Sequence, residues 1–359
     1  MSLKELGWDS HFDGLWQEHR VTGFGPGRVV SQHRGLWRVA GDFDERWAAP
    51  SGKMREVTLE GSDWPAVGDW VVAEIPDGDK QATIHAVLPR RSQFVRKTAG
   101  KRVAQQVIVA NVDTAFIVVA LDGDFNLRRL ERYLAQGRES GAQPVVVLNK
   151  ADGCEEVSAR RAEVESVAMG VLVFTLSART GQGTEALDAF LTPGRTVVLL
   201  GSSGAGKSTL VNRLLGQEHQ QVQAIREKDS RGRHTTTARQ LLLLPGGAMV
   251  IDTPGLRELQ LWDASEGVAE TFADVDELAA KCRFGDCRHE DEPGCAVQAA
   301  LAAGTLDLAR LESRRKLERE QAFLVRKMDP EAKKEEKHRI KLQERAGRQK
   351  YRKREEETQ

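Results

Sequence analysis

A nine-residue segment of this chain has the composition and spacing of a loop that binds phosphate. Its residues are Gly201, Ser202, Ser203, Gly204, Ala205, Gly206, Lys207, Ser208 and Thr209. The glycines let backbone N–H groups curl around phosphate oxygens, and the helix predicted to follow adds the positive end of its dipole. We expect Lys207 to contact the β- and γ-phosphates of a nucleotide and Ser208 to ligate Mg²⁺. The apolar strand predicted at 196–200 leads into the loop, which is the context that this motif requires.

Two further residues are expected at the phosphate end of this site. Asp252 follows an apolar segment and begins the sequence Asp-Thr-Pro-Gly. We expect its carboxylate to hold Mg²⁺ directly or through water, and the N–H of Gly255 to sense the γ-phosphate. An acidic residue at the end of a strand is common to many nucleoside triphosphatases, so this motif does not select the base.

A third segment predicts that the base is guanine. Its residues are Asn149, Lys150, Ala151 and Asp152. The carboxylate of Asp152 can accept hydrogen bonds from N1–H and the exocyclic amine of guanine, whereas adenine offers no such donor pair. We expect Asn149 to reach the base edge and tie the loop to its neighbours, and the stem of Lys150 to lie along the ring. The pair Ser177 and Ala178, at the end of the next strand, fits a backbone donor to guanine O6.

The order of these motifs is inverted relative to Ras-like GTPases. The guanine segment begins 52 residues before the phosphate loop (201 − 149). In Ras-like enzymes the phosphate loop comes first. The sequence therefore predicts a circularly permuted GTPase that converts GTP and water to GDP and phosphate.

The polar segment 232–237 lies where a threonine must close over Mg²⁺ and the γ-phosphate. Thr235 and Thr236 are both candidates, and the sequence leaves the choice open. Leu256 stands where Ras-like enzymes carry the glutamine that orients the attacking water, so we expect slow intrinsic hydrolysis. His234 is a candidate for that role, and a contact with backbone or RNA is the alternative.

Three cysteines and a histidine near the C-terminus have the spacing of a metal site. They are Cys282, Cys287, His289 and Cys295. Three thiolates and an imidazole complete a tetrahedral shell, so we predict one structural zinc ion with no open position for catalysis. The remaining cysteine, Cys154, is read as an ordinary thiol. Four cysteines in a chain of 359 residues do not indicate a secreted disulfide framework.

The elements predicted around these motifs indicate a multidomain α/β protein. Five short apolar or β-branched segments suggest a small barrel of the OB type, which commonly binds oligonucleotides. They are 29–30, 37–39, 57–59, 70–73 and 83–87. From about residue 107, strands that are apolar throughout alternate with helices, as in a parallel sheet covered on both faces. Ligand residues are then expected at the carboxyl ends of the strands.

Charge is balanced overall but unevenly distributed. The chain has 53 Lys and Arg against 53 Asp and Glu, yet residues 310–354 hold 18 basic and 8 acidic residues. A basic tail suggests an anionic partner such as nucleic acid, and a solvated, salt-bridged helix is the alternative. No apolar run approaches the ~18 residues of a membrane span, and residues 1–20 have no signal-peptide core, so we expect a cytoplasmic protein. The connector 89–97 is basic, as a linker or as an RNA-facing edge.

This ordered set of motifs strongly resembles the ribosome small-subunit-dependent GTPase A family (RsgA, also called YjeQ). The resemblance covers residues 28–328 and includes the sequence Asp-Thr-Pro-Gly-Leu-Arg-Glu at 252–258. It implies an N-terminal OB barrel, a permuted GTPase domain and a C-terminal α-helical zinc domain, which we place at 1–100, 101–262 and 263–359. It also implies late maturation of the small (30S) ribosomal subunit, with hydrolysis stimulated by that subunit and followed by release.

Two other functions remain open at this point. One is a GTPase that acts on another RNA or on the large subunit. The other is a GTP-gated RNA-binding switch with negligible turnover. GTP, GDP and the small subunit with its rRNA are the expected partners, no membrane is expected, and a monomer is the default expectation.

Overall fold

A computed structural model describes residues 1–33, 35–57, 64–78, 81–97, 105–216, 239–252 and 264–328. Within these ranges the strands are β1 (Phe24–His33), β2 (Leu36–Ala40), β3 (Arg46–Pro50), β4 (Trp70–Glu74), β5 (Ala82–Val87), β6 (Gln93–Lys97), β7 (Gln105–Ala110), β8 (Thr114–Ala120), β9 (Gln143–Asn149), β10 (Leu172–Thr175), β11 (Thr196–Leu200), β12 (Arg239–Leu243) and β13 (Met249–Asp252).

The α-helices of the same ranges are α1 (Ser10–Trp16), α2 (Gly52–Val57), α3 (Leu127–Glu139), α4 (Val157–Val167), α5 (Lys207–Leu215), α6 (Ser265–Thr271), α7 (Ala273–Ala279), α8 (Ala296–Ala302) and α9 (Leu308–Met328). Short 3₁₀ segments lie at Gln17–His19, Ala151–Gly153 and Thr184–Phe190. None of the described helices is both long and apolar enough to cross a membrane.

The first five strands close into a small barrel. They follow the order β1-β2-β3-β5-β4, and β4 returns to pair with β1. Trp37 lies in the hydrophobic cluster that the barrel strands enclose and Trp70 in a second cluster with Phe12, each with 3% or less of its surface exposed. Gly27 must be glycine here, because a Cβ at this position would lie 2.3 Å from a methyl carbon of Val39 on the neighbouring strand. The expected OB-type barrel is confirmed.

One of the five predicted barrel strands is wrong. The apolar segment 57–59 was expected to be a strand, but Val57 is the last residue of helix α2, and residues 58 and 59 lie outside the described part. The third barrel strand is β3, which pairs with β2 and β5. Its sequence, Arg-Trp-Ala-Ala-Pro, has only small residues facing the interior, so the hydrophobic pattern of a strand is weak there.

The second unit is a mainly parallel sheet. Its strands follow the order β10-β9-β8-β11-β13-β12, and only the last pairing, β13 with β12, is antiparallel. Every residue of β8 and β11 is buried. Alternate side chains of β8 pack on opposite faces: Ile117 lies in the same hydrophobic cluster as Leu134 of α3, and Phe116 in the same cluster as Leu210 of α5. The expected α/β sheet with helices on both faces is therefore present.

The barrel and the sheet are joined edge to edge. Ser31 and Gln32 of β1 pair with Gln240 and Arg239 of β12. Beside this seam, the buried Arg28 donates hydrogen bonds to the carbonyl of Asn111 (3.1 Å) and the hydroxyl of Thr196 (2.9 Å). Burial lowers its pKa to about 10, so the guanidinium stays charged at neutral pH. Because Thr196 begins the strand that leads to the phosphate loop, Arg28 ties the barrel to that strand.

The C-terminal helices pack on α3. Arg310 of α9 forms ion pairs with Glu131 of α3 (2.9 Å) and with Asp274 of α7 (2.7 Å), and its guanidinium lies over the ring of Phe272. Glu131 is fully buried, and this burial raises its pKa. A buried pair of this kind costs several kcal/mol when one partner is removed. Arg310 therefore fastens the C-terminal helices to α3, which packs against the sheet.

Candidate nucleotide and metal sites

The phosphate-loop residues connect β11 to α5, with glycines at two crowded turns. Gly201 has φ +138°, and a Cβ there would lie 2.3 Å from the carbonyl oxygen of Val118. Gly206 has φ +92°, and a Cβ there would lie 2.2 Å from the side-chain nitrogen of Asn149. Only glycine fits both positions without displacing backbone or side-chain atoms. The loop is thus packed directly against the strand before it and the guanine segment.

The side chains of the loop divide into those that hold it and those that face outward. Nζ of Lys207 donates to the carbonyls of Gly201 (2.8 Å) and Ser202 (2.5 Å), which places its charge in the middle of the loop. The hydroxyl of Ser202 donates to Asp124, at 2.6 Å. The solvent-exposed members of the loop are Ser203, Gly204, Ser208 and Thr209. An exposed rim above a buried base is the shape that a bound phosphate chain requires.

Asn149 connects three loops of the site. Its Oδ1 accepts from the N–H of Ala178 (2.9 Å), and its Nδ2 donates to the carbonyl of Ala205 in the phosphate loop (2.8 Å). Only 2% of its surface is exposed. The expected tie between the guanine segment and its neighbours is what the structure shows.

Lys150 and Asp152 flank the expected position of the base. Lys150 has φ +66° and its Nζ lies 2.7 Å from a carboxylate oxygen of Asp122. Asp152 accepts hydrogen bonds from Ser177 and Arg179, which lower its pKa below the ordinary range of an aspartate. The carboxylate is therefore ionised and ready to accept at neutral pH. Nε of Arg179 lies 2.9 Å from the same carboxylate and occupies the acceptor that was predicted for guanine.

Four residues of this site were missed by sequence reasoning. Arg213 of α5 donates to the carbonyls of Ala178 (2.7 Å) and Arg179 (2.8 Å), and so fixes the loop after β10 from the phosphate-loop helix. Asp122 and Asp124 follow β8 and hold Lys150 and Ser202. Their position just beyond a buried parallel strand was a usable signal, because ligand-side residues collect at that edge. Arg213 and Arg179 gave no such signal.

Asp252 ends β13 at the same edge of the sheet as the phosphate loop. β13 lies beside β11, with Ile251 opposite Val198, so the two strands deliver Asp252 and Gly201 to neighbouring positions. Partial desolvation of its carboxyl group raises the pKa of Asp252, although the residue is exposed at the surface. A divalent cation nearby would favour the ionised form. The other residues predicted for this end of the site, His234, Thr235, Thr236, Gly255 and Leu256, lie outside the described residues.

The four predicted metal ligands come together. The ligand atoms of Cys282, Cys287, His289 and Cys295 all lie within 4.8 Å of one another. Nδ1 of His289 is 3.5 Å from the sulfur of Cys282 and 3.5 Å from that of Cys295, and these two sulfurs are 3.8 Å apart. Such a cluster could hold a metal ion.

Neighbouring residues hold this cluster from outside. The carbonyl of His289 accepts from Gln298 (2.6 Å) and from Arg315 of α9 (3.0 Å). The carboxylate of Glu292 accepts from the N–H groups of Arg288 (2.9 Å) and Glu290 (2.8 Å), which fixes the turn between the second and fourth ligands. Burial lowers the pKa of His289, and the neutral ring is the form that binds metal.

The chain is similar to proteins of one family along most of its length. The model of the family described as RsgA GTPase matches residues 87–262. A protein of Opitutus terrae named small ribosomal subunit biogenesis GTPase RsgA is 51% identical, over 92% of each chain. A protein of Streptomyces coelicolor with the same name is 46% identical, over 93% of this chain and 90% of that protein.

Solved structures agree with this similarity. The crystal structure of YjeQ from Thermotoga maritima has a TM-score of 0.60 and 29% identity, over 82% of this chain and 97% of that one. The structure of YloQ, described as a circularly permuted GTPase, has a TM-score of 0.56 and 23% identity, over 83% of this chain and 95% of that one.

The fold and the site define a circularly permuted P-loop GTPase, an enzyme that hydrolyses GTP. The permutation is visible in the chain order, since the guanine segment follows β9 while the phosphate loop follows β11 in the same sheet. The chain belongs to the RsgA GTPase family.

Proposed function

We propose that this GTPase is a late assembly factor of the small (30S) ribosomal subunit, that the subunit stimulates its turnover, and that hydrolysis releases it. The observation that carries this proposal is the pairing of a guanine segment with a phosphate loop in a chain 51% identical, over 92% of its length, to a protein named for small-subunit biogenesis. The barrel supports it, because OB barrels commonly bind oligonucleotides.

The roles proposed for the site residues follow from the motifs, and for the described residues their positions support these roles. The loop Gly201–Thr209 binds the phosphates, with Lys207 on the β- and γ-phosphates. Ser208 and Asp252 hold Mg²⁺, which supplies charge neutralisation at the transferring phosphoryl group. Asn149, Lys150, Ala151 and Asp152, with Ser177 and Ala178, enclose guanine. Gly255 senses the γ-phosphate, Thr235 or Thr236 closes over it, and His234 orients the attacking water.

In this hydrolysis the protein positions the reacting groups and stabilises charge, and it forms no covalent bond to the substrate. Water attacks the γ-phosphorus in line with the leaving β-phosphate oxygen, and charge on the phosphoryl oxygens is stabilised by Lys207 and the backbone N–H groups of the loop. With Leu256 in place of a water-orienting glutamine, turnover by the free protein is slow. Contact with the subunit positions His234 for this role and raises the rate.

The cluster of Cys282, Cys287, His289 and Cys295 holds one structural zinc ion. Zinc bonds of about 2.3 Å to sulfur and about 2.0 Å to nitrogen, in a tetrahedron, separate two sulfurs by about 3.8 Å and sulfur from nitrogen by about 3.5 Å. The distances among Cys282, His289 and Cys295, 3.8 Å and 3.5 Å, fit that geometry, and all four ligand atoms lie within 4.8 Å of one another. All four positions are taken by protein atoms, so the ion stabilises the C-terminal region and takes no part in hydrolysis.

The protein is a cytoplasmic monomer with three functional parts: the RNA-binding barrel in 1–100, the GTPase in 101–262, and the zinc domain with its basic tail in 263–359. The first boundary falls between the paired strands β6 and β7. In sequence, only residues 253–262 separate Asp252 from the zinc domain, so a γ-phosphate-dependent change in this connection would reach what that domain holds. The basic tail beyond residue 328 lies outside the described residues.

The proposed function is tested by measuring GTP turnover with no addition, with 30S subunits and with 50S subunits. Strong stimulation by 30S alone is the expected result. Stimulation by 50S alone would assign the enzyme to the large subunit. Stimulation by neither would indicate another RNA partner or a switch with negligible turnover, and would contradict the proposal.

A further inference from the structure

Two arginines come together where the barrel meets the GTPase sheet. Arg239, the first residue of β12, lies opposite Gln32 of β1, and its Nη1 donates to the side-chain oxygen of Gln32 at 3.2 Å. Arg96 of β6 donates through Nε and Nη2 to the side-chain oxygen of Gln106, at 3.3 and 3.2 Å. Both guanidinium groups are half-buried, and the partners that hold them are neutral amide oxygens at long distances.

Neither arginine has a carboxylate partner within the part of the chain that the structure describes. Two arginines that precede Arg96 in the sequence do have carboxylate partners. Arg90 forms an ion pair with the buried Asp69 at 2.8 Å, and Arg91 forms one with Asp9 at 2.5 Å. Burial and the positive charge of Arg96 lower the pKa of Arg239 to about 10, and it remains charged at neutral pH. Arg96 and Arg239 are two like charges in a partly desolvated region, with no carboxylate partner among the described residues. They repel each other, and a bound anion would relieve that repulsion.

The surrounding sequence indicates a polyanion and not a lone small anion. Residues 89–112 contain six Lys and Arg and no Asp or Glu. The planar guanidinium fork matches the oxygens of a phosphate group, and a nucleic-acid backbone presents such groups in series. We propose that Arg96 and Arg239 bind backbone phosphates of RNA at the seam between barrel and sheet. This inference rests on the proposed function, which supplies rRNA as the source of those phosphates.

The position of Arg239 on β12 connects RNA binding to the nucleotide site. β12 pairs with the barrel through Arg239 and with β13 through Gln240, which lies opposite Asp252. An RNA phosphate held by Arg239 therefore acts on the strand beside the carboxylate proposed to hold Mg²⁺. The expected consequence is that replacing Arg96 and Arg239 also lowers the stimulation of turnover by the small subunit.

The test is a salt titration of binding to purified 30S subunits by the wild-type protein and by the double variant Arg96→Gln/Arg239→Gln. Each lost phosphate contact reduces the slope of log affinity against log salt by about 1, so the double variant should bind more weakly with a slope shallower by about 2. GDP affinity and the melting temperature should stay close to wild type. Arg161→Gln, on α4 and paired with Glu165, is the matched control and should change neither affinity nor slope.

A second variant and two further probes make each outcome decisive. Arg239→Lys keeps the charge, so it should restore most of the salt slope if the contact is electrostatic. Weakened binding with an unchanged slope, or equal binding by wild type and double variant, would overturn the inference. If the wild-type protein does not bind 30S subunits, the proposed function is refuted. The two arginines would then be tested by binding to a 20-nucleotide RNA, for which the double variant must show the same loss of salt slope. Inorganic phosphate could stabilise the wild type and not the double variant while RNA binding is the same for both. That result would assign the two arginines to free phosphate and contradict the inference.

Discussion

The nucleotide site and the metal cluster are built in opposite ways. The nucleotide site draws residues from loops that follow four parallel strands, at Asp122, Asn149, Ser177 and Gly201, and side chains cross between those loops. The metal cluster takes all its ligands from the 14 residues between Cys282 and Cys295. The first is held by a large sheet core, whereas the second depends on its own ligands and a few turns. A single substitution in the nucleotide site should therefore weaken nucleotide binding by a degree that depends on the residue. Loss of one ligand of the metal cluster should abolish metal binding but leave the rest of the fold intact.

The largest effect is expected from Cys287→Ala. Removing one of four ligands should abolish metal binding, and the region around α7 and α8 should lose its structure because folding and metal binding are coupled there. Metal content by elemental analysis and amide hydrogen exchange across 265–320 measure this, while GDP affinity should remain within a few-fold of wild type. Cys154→Ala, which removes the cysteine outside the cluster, is the control. Retained metal, or lost GDP binding, would contradict the contrast between the two sites.

The next effect concerns the base. Asp152→Asn should reverse the preference from guanine to xanthine nucleotides, because an amide can donate to the additional carbonyl of xanthine where a carboxylate cannot. GDP affinity should fall by about 100-fold or more, as expected for a site that loses its matched hydrogen-bond partner. Dissociation constants for GDP and XDP measure it. A variant that still selects guanine would show that Asp152 does not read the base.

The smallest effect is expected from Arg179→Ala. Most of this side chain is exposed, and its ion pair with Asp152 is the contact that guanine would replace if Asp152 reads the base as proposed. Exposed ion pairs contribute little, so GDP should bind with affinity equal to, or up to about fivefold tighter than, that of wild type. Stopped-flow binding of a fluorescent GDP analogue would resolve the change. Affinity reduced by tenfold would mean that Arg179 contacts the nucleotide itself.

What could be predicted from the sequence follows the same contrast. The phosphate loop, the guanine segment and the metal ligands are contiguous motifs whose chemistry fixes their spacing, and their order alone predicted the permutation. The expected tie made by Asn149 was found because that role belongs to the motif. The parallel strands were predicted because burial on both faces leaves a continuous apolar signal.

The parts that were missed depend on contacts between distant residues. Arg28 and Thr196 are 168 positions apart, and Arg310 and Glu131 are 179 apart, so no local pattern joins them. Strand β3 was missed because Ala48 and Pro50 fill its buried positions and the ladder with β2 and β5, not its own hydrophobicity, makes it a strand. Arg213 looks like an ordinary charged residue of a helix until the loop after β10 is placed beside it.

The most direct test of the account is to compare the affinity of mature 30S subunits for the protein bound to a non-hydrolysable GTP analogue and bound to GDP. If GTP favours the subunit-bound arrangement and hydrolysis releases the protein, the two forms must differ in affinity, because a nucleotide can shift this equilibrium only through differential affinity. We therefore predict that the analogue form binds at least about tenfold more tightly, a coupling of about 1.4 kcal/mol. Equal affinities for the two forms would contradict it.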